Sequence, residues 1–163
     1  MIKIFITGGT IDCEKIDGEG NYSFGETAIP AMFKQGRCQT ETDFEVLMMK
    51  DSLYMTDQDR EIILGKCKDC RDDKIIITHG TDTMAETAKL LGGGGIENKT
   101  IVLVGAMVPY DQEKSDALFN LGSAITAAQV LDNGVYITMN GKIFSWDNVV
   151  KNKDLLIFET LKQ

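Results

Sequence analysis

The sequence is poor in the basic residues that a nucleic-acid or membrane partner would require. Lysine and arginine number 17 against 25 aspartates and glutamates, which gives a formal net charge of −8. Without a basic stripe a surface cannot follow a chain of phosphates, so we expect no nucleic-acid partner and no anionic membrane surface. No stretch approaches the roughly 18 apolar residues of a membrane-spanning helix. The charge leaves the identity of a small-molecule ligand open.

Proline and histidine are scarce as well, with two prolines and one histidine in 163 residues. Few prolines and an apolar fraction of 43% are typical of an ordinary soluble globular protein. A chain of this length can bury a core by itself, so we expect one domain over residues 1–163. The apolar run at residues 1–6 is too short for a signal peptide, and a cytoplasmic location is therefore expected.

The four cysteines raise the question of a metal or redox site. Cys67 and Cys70 have the C-x-x-C spacing that binds metals or forms a redox pair. The sequence has no second such pair, and its only histidine, His79, lies elsewhere. We therefore expect free thiols in a reducing compartment, with no metal and no other cofactor.

Short apolar runs alternate with helical patterns along the chain. Two segments, at Thr56-x-x-Asp59 and Thr83-x-x-Glu86, have the form of a capping box that opens a helix, and a third helix is predicted from Ser115 onward. The alternation predicts an α/β fold with an open, mostly parallel sheet sandwiched by helices. Residues 8–27 are expected to form a long loop, and the patterns fade after residue 140. Strands are predicted at residues 3–7, 44–49, 74–78, 100–104 and 135–138.

Residues that could bind a ligand or take part in a reaction follow two of the predicted strands. In open parallel sheets, ligands bind beyond the carboxyl ends of the strands. The first strand leads into Thr-Gly-Gly-Thr-Ile at residues 7–11, and the third into Thr-His-Gly-Thr-Asp-Thr-Met at residues 78–84. Thr81 and Asp82 then precede a predicted helix, whose N-terminus favours an anion. The sequence therefore predicts an anion-binding cleft between these two segments.

Each of these features has a simpler interpretation. The turn at Gly8 and Gly9 could be only a tight turn, or it could cradle a phosphate. The threonine-rich stretch could serve only to cap a helix, and His79 is of a type more often structural than catalytic. A threonine hydroxyl also needs an activating base before it attacks a substrate. Residue types and spacing alone therefore do not select one reaction.

The two threonine segments resemble the signature motifs of the bacterial-type L-asparaginases. Further similarity lies at residues 105–109 (Gly-Ala-Met-Val-Pro) and 119–121 (Phe-Asn-Leu), and the resemblance covers nearly the whole chain. It implies a flavodoxin-like fold of the asparaginase N-terminal domain type. It also implies an amidohydrolase that converts L-asparagine to L-aspartate and ammonia through a threonine nucleophile and an acyl-enzyme. Glutamine is a second candidate substrate.

The resemblance assigns five catalytic residues by position. Thr10 matches the first reactive threonine, and Tyr22 matches the tyrosine of a mobile lid that partners it. Thr81 matches the second reactive threonine, and Asp82 matches the aspartate that meets the substrate's α-amino group. Counting on without a gap brings Lys151 to the family's lysine beside the second threonine, although Lys153 lies nearby. A desolvated lysine there could act as a base.

The same resemblance assigns the residues that bind the substrate. Ser52, preceded by Asp51, matches the serine position that receives the α-carboxylate. Gly80, Asp82 and Ala106 complete this set. An amino-acid amide carries one carboxylate and one ammonium group, so its site needs a donor cluster and an acceptor, which Ser52 with the helix N-terminus and Asp82 would supply.

The sequence also departs from the familiar family members. These carry a second domain, which lends an acidic group to a neighbouring subunit's site, whereas this chain matches the shorter, single-domain members. Leu53 stands where many members have a polar residue, and Val108 where arginine is common. A homo-oligomer, either dimer or tetramer, is expected from the resemblance.

Two functions of other classes stay open. The chain could be a non-catalytic module that binds aspartate or asparagine. It could also bind a nucleotide at the Gly8-Gly9 turn, although no P-loop lysine and no G-x-G-x-x-G follows the first strand.

Overall fold

A six-stranded sheet forms the centre of the molecule in the computed structural model, which describes residues 1–161. Its strand order is β4-β1-β5-β6-β7-β8, in which β8 pairs antiparallel with β7 and all other neighbours are parallel. The predicted α/β fold is confirmed. In chain order the strands are β1 (Ile2–Gly8), β2 (Lys15–Ile16), β3 (Tyr22–Ser23), β4 (Thr42–Lys50), β5 (Lys74–Thr78), β6 (Thr100–Val104), β7 (Gly134–Met139), β8 (Lys142–Ser145), β9 (Val150–Asn152) and β10 (Ile157–Glu159).

Four helices cover the two faces of this sheet: α1 (Ile29–Gln35), α2 (Asp57–Asp69), α3 (Met84–Gly93) and α4 (Ala117–Val130). Helices α2 and α3 pack on one face and α1 and α4 on the other, which divides the core into two buried clusters. The central strands β5 and β6 contribute to both clusters, since their side chains alternate between the faces. This burial on both faces explains their continuous apolar runs.

The two predicted capping boxes have opposite outcomes. At α2 the Thr56 hydroxyl accepts a hydrogen bond from the Asp59 amide, and the Asp59 carboxylate accepts one from the Thr56 amide, as predicted. At α3 the prediction is wrong, because the Thr83 hydroxyl donates to the Ser52 carbonyl oxygen at 2.9 Å. Glu86 instead forms an ion pair with Arg60. In place of a second capping box, Thr83 and Glu86 therefore form contacts with Ser52, after β4, and with Arg60, in α2.

Regular structure also occurs where the sequence predicts none. Helix α1 begins after Ala28 with a proline in its first turn. The predicted long loop at residues 8–27 contains a 3₁₀ turn, Thr10–Asp12, and the hairpin of β2 and β3. The segment after residue 140 contains β8 and the hairpin of β9 and β10. These elements are only two to seven residues long, so they leave little periodic signal.

Candidate active site

The two threonine segments meet where β1 and β5 end. These strands are parallel neighbours, and Ile6 pairs with Thr78 near their carboxyl ends. Gly9 has a φ of 81°, and a Cβ atom placed on it would lie 2.3 Å from the Gly80 backbone nitrogen. The segments therefore touch backbone to backbone at glycines, and each glycine is followed directly by one of the two threonines. Only residues without a side chain allow this approach.

Thr81 lies in a cluster with two charged side chains. The Lys151 Nζ atom donates to the Thr81 hydroxyl at 2.8 Å and to an Asp82 carboxylate oxygen at 2.6 Å. The Lys151 side chain is only 9% exposed, and Asp82 is half-buried. The ammonium group is therefore shared between a hydroxyl and a carboxylate at the edge of the core, where ion pairs are less screened than on the surface.

Lys151 reaches this position because its hairpin is attached to the core. Val149, just before β9, and Phe158, in β10, are buried in the cluster that also contains residues of α2 and α3. Within the hairpin Lys151 pairs with Phe158. The neighbouring Lys153 is exposed, so the structure brings Lys151 rather than Lys153 to Thr81.

Thr10 lies in a second cluster, which depends on the β2–β3 hairpin. Its hydroxyl donates to the Tyr22 hydroxyl at 3.2 Å, and Tyr22 is half-buried. The hairpin consists of two residue pairs, of which one places Tyr22 opposite Ile16. Tyr22 also lies near the Phe24 ring, at 6.4 Å between centroids. The structure thus brings Tyr22 to Thr10 through a short, separate hairpin.

Asp12 joins the two ends of the segment that carries this hairpin. Its carboxylate accepts hydrogen bonds from the Thr27 hydroxyl and, at 2.7 Å, from the Ala28 amide, where α1 begins. Burial raises the pKa of Asp12, while the two hydrogen bonds act in the opposite direction. The residue was not singled out from the sequence. Its position two residues after Thr10 is the only signal that could have indicated it.

Ser52 and Asp51 lie beside the contact between the glycines. A Cβ atom on Gly80 would come within 2.5 Å of the Ser52 hydroxyl oxygen, so Gly80 passes closely over this serine. The Asp51 carboxylate accepts from the Leu53 amide at 3.0 Å and caps the 3₁₀ turn Ser52–Tyr54. Asp51 therefore holds the turn that presents Ser52, and both residues are buried.

Ala106 belongs to a loop that is held by an aspartate missed in the sequence. The Asp116 carboxylate accepts from the Met107 and Val108 amides at 2.9 to 3.1 Å. It also accepts from the side-chain amides of Asn120 and Asn140. Asp116 thus joins the loops after β6 and β7 at the start of α4, and it fixes the backbone next to the buried Ala106.

His79, fully buried behind Gly80, belongs to a chain of polar contacts. Its Nδ1 atom lies 2.7 Å from the Gly80 carbonyl oxygen, and its Nε2 atom lies 2.8 Å from the Thr87 hydroxyl. The Arg60 Nε atom donates to that hydroxyl at 3.2 Å. Burial lowers the pKa of His79 to about 4, and Arg60 acts in the same direction, so the ring is neutral near pH 7.

The other features singled out from the sequence lie away from this site. Cys67 is buried in α2, and burial raises the pKa of its thiol to about 12. Within residues 1–161, no group of three or more histidine, cysteine or acidic side chains could hold a metal ion. None of the helices described there combines the length and apolar character that a membrane crossing needs.

Solved structures with the same fold define the class of this protein. A probable cytoplasmic L-asparaginase from Campylobacter jejuni matches 99% of this chain with a TM-score of 0.84 and 33% sequence identity. The match covers 53% of that protein. The thermostable L-asparaginase from Thermococcus kodakarensis matches 99% of this chain and 51% of its own, with a TM-score of 0.81 and 26% identity.

Sequence comparison gives the family. The family model described as "Asparaginase, N-terminal" matches residues 1–156, and the chain belongs to this family. L-asparaginase 2 of Escherichia coli is 36% identical over 98% of this chain and 49% of its own length. The resemblance found in the sequence is therefore confirmed. The chain spans about half the length of the curated relatives it matches.

Proposed function

We propose that the protein hydrolyses the side-chain amide of L-asparagine to give L-aspartate and ammonia. The observation that carries this proposal is the contact of Lys151 with both the Thr81 hydroxyl and the Asp82 carboxylate. A threonine beside a lysine and an aspartate has the parts of an activated nucleophile: a hydroxyl, a proton acceptor and a carboxylate that orients it. Similar proteins named L-asparaginases support this choice of substrate.

The proposed reaction passes through an ester on a threonine. The hydroxyl oxygen of Thr10 or Thr81 attacks the amide carbon, and backbone N–H groups at the two segments would stabilise the oxyanion. The carbon–nitrogen bond then breaks, and the amide nitrogen leaves as ammonia with the proton of the hydroxyl. Water cleaves the resulting ester, which releases aspartate and restores the threonine.

Proton transfer at Thr81 is assigned to Lys151. An ammonium group cannot accept a proton, so Lys151 must first lose one to solvent, while the Asp82 carboxylate at 2.6 Å stays ionised. The neutral amine can then take the hydroxyl proton across the 2.8 Å contact with Thr81. On the other side of the site, Tyr22 would exchange a proton with Thr10 across the 3.2 Å contact between their hydroxyls.

Substrate recognition follows from the charges of an amino acid. Asp82 would receive the α-ammonium group. Ser52 and the backbone around Gly80 would receive the α-carboxylate, with Asp51 holding the turn that carries Ser52. Ala106 would contact the side-chain amide from the loop held by Asp116. In this arrangement the α-ammonium group and the α-carboxylate of the substrate each have their own partner in the site.

The proposal is tested by measuring ammonia release from L-asparagine and from L-glutamine. We expect release from asparagine, and its loss in both the Thr10→Ala and the Thr81→Ala variants. A folded protein that turns over neither amide would contradict the proposal.

A non-catalytic module that binds aspartate or asparagine is the alternative. It would use the same groups, Asp82 and Ser52, to hold the two charges of an amino acid. Calorimetry distinguishes the two functions, because aspartate binding without ammonia release from asparagine would identify the binding module.

Assembly and location are proposed from the family resemblance. We infer a homo-oligomer, which light scattering of the purified protein tests, and a purely monomeric protein would contradict it. A cytoplasmic location is proposed as well, although one similar protein, from Haemophilus influenzae, is named a probable periplasmic L-asparaginase. Cell fractionation decides between the two compartments.

A further inference from the structure

The only histidine of the chain is buried behind the Thr81 segment, and the proposed reaction does not use it. His79 has no exposed surface, and both of its ring nitrogens have polar partners. Its neighbours form one connected row from the Arg60 guanidinium through the Thr87 hydroxyl and the imidazole to the Gly80 carbonyl. Gly80 is the residue directly before Thr81.

The chemistry of the partners fixes the direction of every hydrogen bond in this row. A guanidinium only donates, so Thr87 accepts from Arg60 and must direct its own proton elsewhere. The His79 Nε2 atom, at 2.8 Å, is a far closer acceptor than the Met55 sulfur at 3.9 Å. At the other end a carbonyl only accepts, so Nδ1 must carry the ring's proton. Both ends select the same neutral tautomer.

This tautomer determines how the peptide between Gly80 and Thr81 is oriented. The Nδ1–H group holds the Gly80 carbonyl toward the core at 2.7 Å. No peptide bond among the described residues is cis, and in a trans peptide the N–H points opposite to the C=O. The Thr81 N–H therefore points away from the buried ring. Gly80 itself has little room to shift, because Gly9 and Ser52 confine it from two sides.

The far end of the row is also held in place. Arg60 is buried in α2, and it donates to the Met55 carbonyl oxygen at 3.1 Å and to Glu86 at 3.2 Å. Thr87 lies in α3, directly after Glu86. The row therefore connects the peptide before Thr81 to helices α2 and α3 as well as to the end of strand β5.

We propose that His79 is a positioning residue of the active site. Held as the Nδ1–H tautomer by Arg60 and Thr87, it fixes the Gly80 carbonyl and so directs the Thr81 N–H toward the carboxylate of an amino-acid ligand. This assignment rests on the proposed function for the identity of the ligand. It does not rest on catalysis, since binding of L-aspartate is sufficient to test it.

Two substitutions of nearly equal size separate this role from simple filling of the core. The side-chain amide of His79→Asn can donate from the place of Nδ1, whereas His79→Leu cannot donate at all. Both lose the acceptor for Thr87, so their losses of stability should be similar. We expect His79→Leu to bind L-aspartate roughly tenfold more weakly in calorimetry, because small displacements of a site are costly. We expect His79→Asn to stay within a few fold of the parent.

The tautomer itself can be observed, because a single histidine gives a single set of imidazole signals. Nitrogen-15 spectra of the parent should show a protonated Nδ1 and an unprotonated Nε2 at pH 7. Thr87→Ser, which keeps the hydroxyl, should preserve the Nε2 signal, and Thr87→Val should shift it. The backbone amide signal of Thr81 should move in His79→Leu more than in His79→Asn.

The experiments distinguish a failure of the positioning role of His79 from a failure of the proposed function. A protonated Nε2 in the parent, or aspartate binding by His79→Leu equal to that of the parent, would overturn the positioning role. If the parent protein binds no aspartate, the proposed ligand is wrong. The imidazole and Thr81 amide signals then still show whether His79 is the Nδ1–H tautomer and orients the Thr81 peptide. If His79→Leu does not fold, the parent spectrum and the Thr87 pair provide the decision.

Discussion

The two halves of the candidate site are built in different ways. The Thr81 half stands at the end of a central strand, with Lys151 and Asp82 in direct contact and the buried row of His79 behind it. The Thr10 half begins on the adjacent strand, but its partner Tyr22 comes from a hairpin of only two residue pairs. The Thr81 half is held by several contacts with the core, whereas Tyr22 reaches Thr10 through a side-chain hydrogen bond of 3.2 Å from a hairpin segment whose ends are joined by Asp12.

This difference separates two tasks that one site has to perform. Groups that carry charge must keep their geometry, because electrostatic stabilisation depends on preorganised partners. A group on a short hairpin can leave and return while the sheet stays intact, which allows a substrate to enter. The charged pair thus stands on the segment after β5 and on the core-attached β9–β10 hairpin, whereas Tyr22 stands on the short β2–β3 hairpin. The following experiments test this division, beginning with the largest expected effect.

Removing the lysine should abolish most of the activity. In Lys151→Met, Thr81 loses the proton acceptor that we propose for it and Asp82 loses its ion-pair partner, so ammonia release from asparagine should fall about a thousandfold, within the range for general acid–base groups. Lys153→Met is the matched control, since Lys153 lies two residues away and is exposed. Equal losses in both variants would show that the contact with Thr81 is not what matters.

Amide hydrogen exchange compares the two halves directly. Strand β5 is buried between two parallel neighbours, whereas β2 and β3 pair only with each other. Amides of β5 should exchange roughly a hundredfold more slowly than those of Tyr22 and Ser23, because local opening requires less free energy where few contacts are broken. Similar protection of both segments would remove the distinction between a rigid and a movable half.

The tyrosine hydroxyl should contribute less than the lysine. Tyr22→Phe removes the hydrogen bond to Thr10 and keeps the ring, so ammonia release should fall by about tenfold, which corresponds to one hydrogen bond. Tyr54→Phe is the control, because Tyr54 is exposed in the turn after Ser52. A loss as large as that of Lys151→Met would mean that the two halves carry equal weight.

The smallest effect is expected on stability, at the start of α2. Hydrogen bonds from Lys50, the largest cause, and from Thr56 lower the pKa of Asp59 from 3.8 to about 2. A lowered carboxyl pKa stabilises the fold above the unfolded value, and this contribution is lost as the pH falls from about 4 to about 2. Lys50 is 41% exposed, so after allowance for screening we expect Asp59→Asn to reduce the free energy of unfolding at pH 7 by about 1 kcal/mol.

Denaturant unfolding measures this difference, with Asp57→Asn as the control in the same helical turn. Its carboxylate is fully exposed, so its effect should be smaller. The deficit of Asp59→Asn should also disappear below about pH 2, where the parent carboxylate is protonated. A deficit that persists there would point to lost capping rather than to lost charge.

Much of the sheet could be predicted because burial leaves a clear pattern. The strands at residues 74–78 and 100–104 have the predicted bounds, since they are covered on both faces and read as continuous apolar runs. The two hairpins and α1 were missed because segments of two to seven residues are too short for a periodic pattern to stand out. The capping box at Thr83 was wrong because its competitor, the Ser52 carbonyl, lies far away in the sequence.

In the candidate site, too, features with a local sequence pattern could be predicted and contacts between distant elements could not. Thr10 and Thr81 follow strand ends, so their segments could be placed in one cleft from topology, and the family resemblance supplied the roles. Asp116 and Arg60 were missed because their partners come from other elements, and no local spacing records those contacts. Asp116 had one available signal: it is an acidic residue at the predicted start of α4.

The contact between Gly9 and Gly80 determines the stage of folding at which the site forms. Main-chain atoms of Gly9 and Gly80 meet across the gap between the two threonine segments. The gap exists only once β1 has paired with β5, which joins distant parts of the chain and so comes with the cooperative formation of the sheet. Capacity to bind aspartate should therefore appear in a single step during refolding, and no half-formed site should precede it.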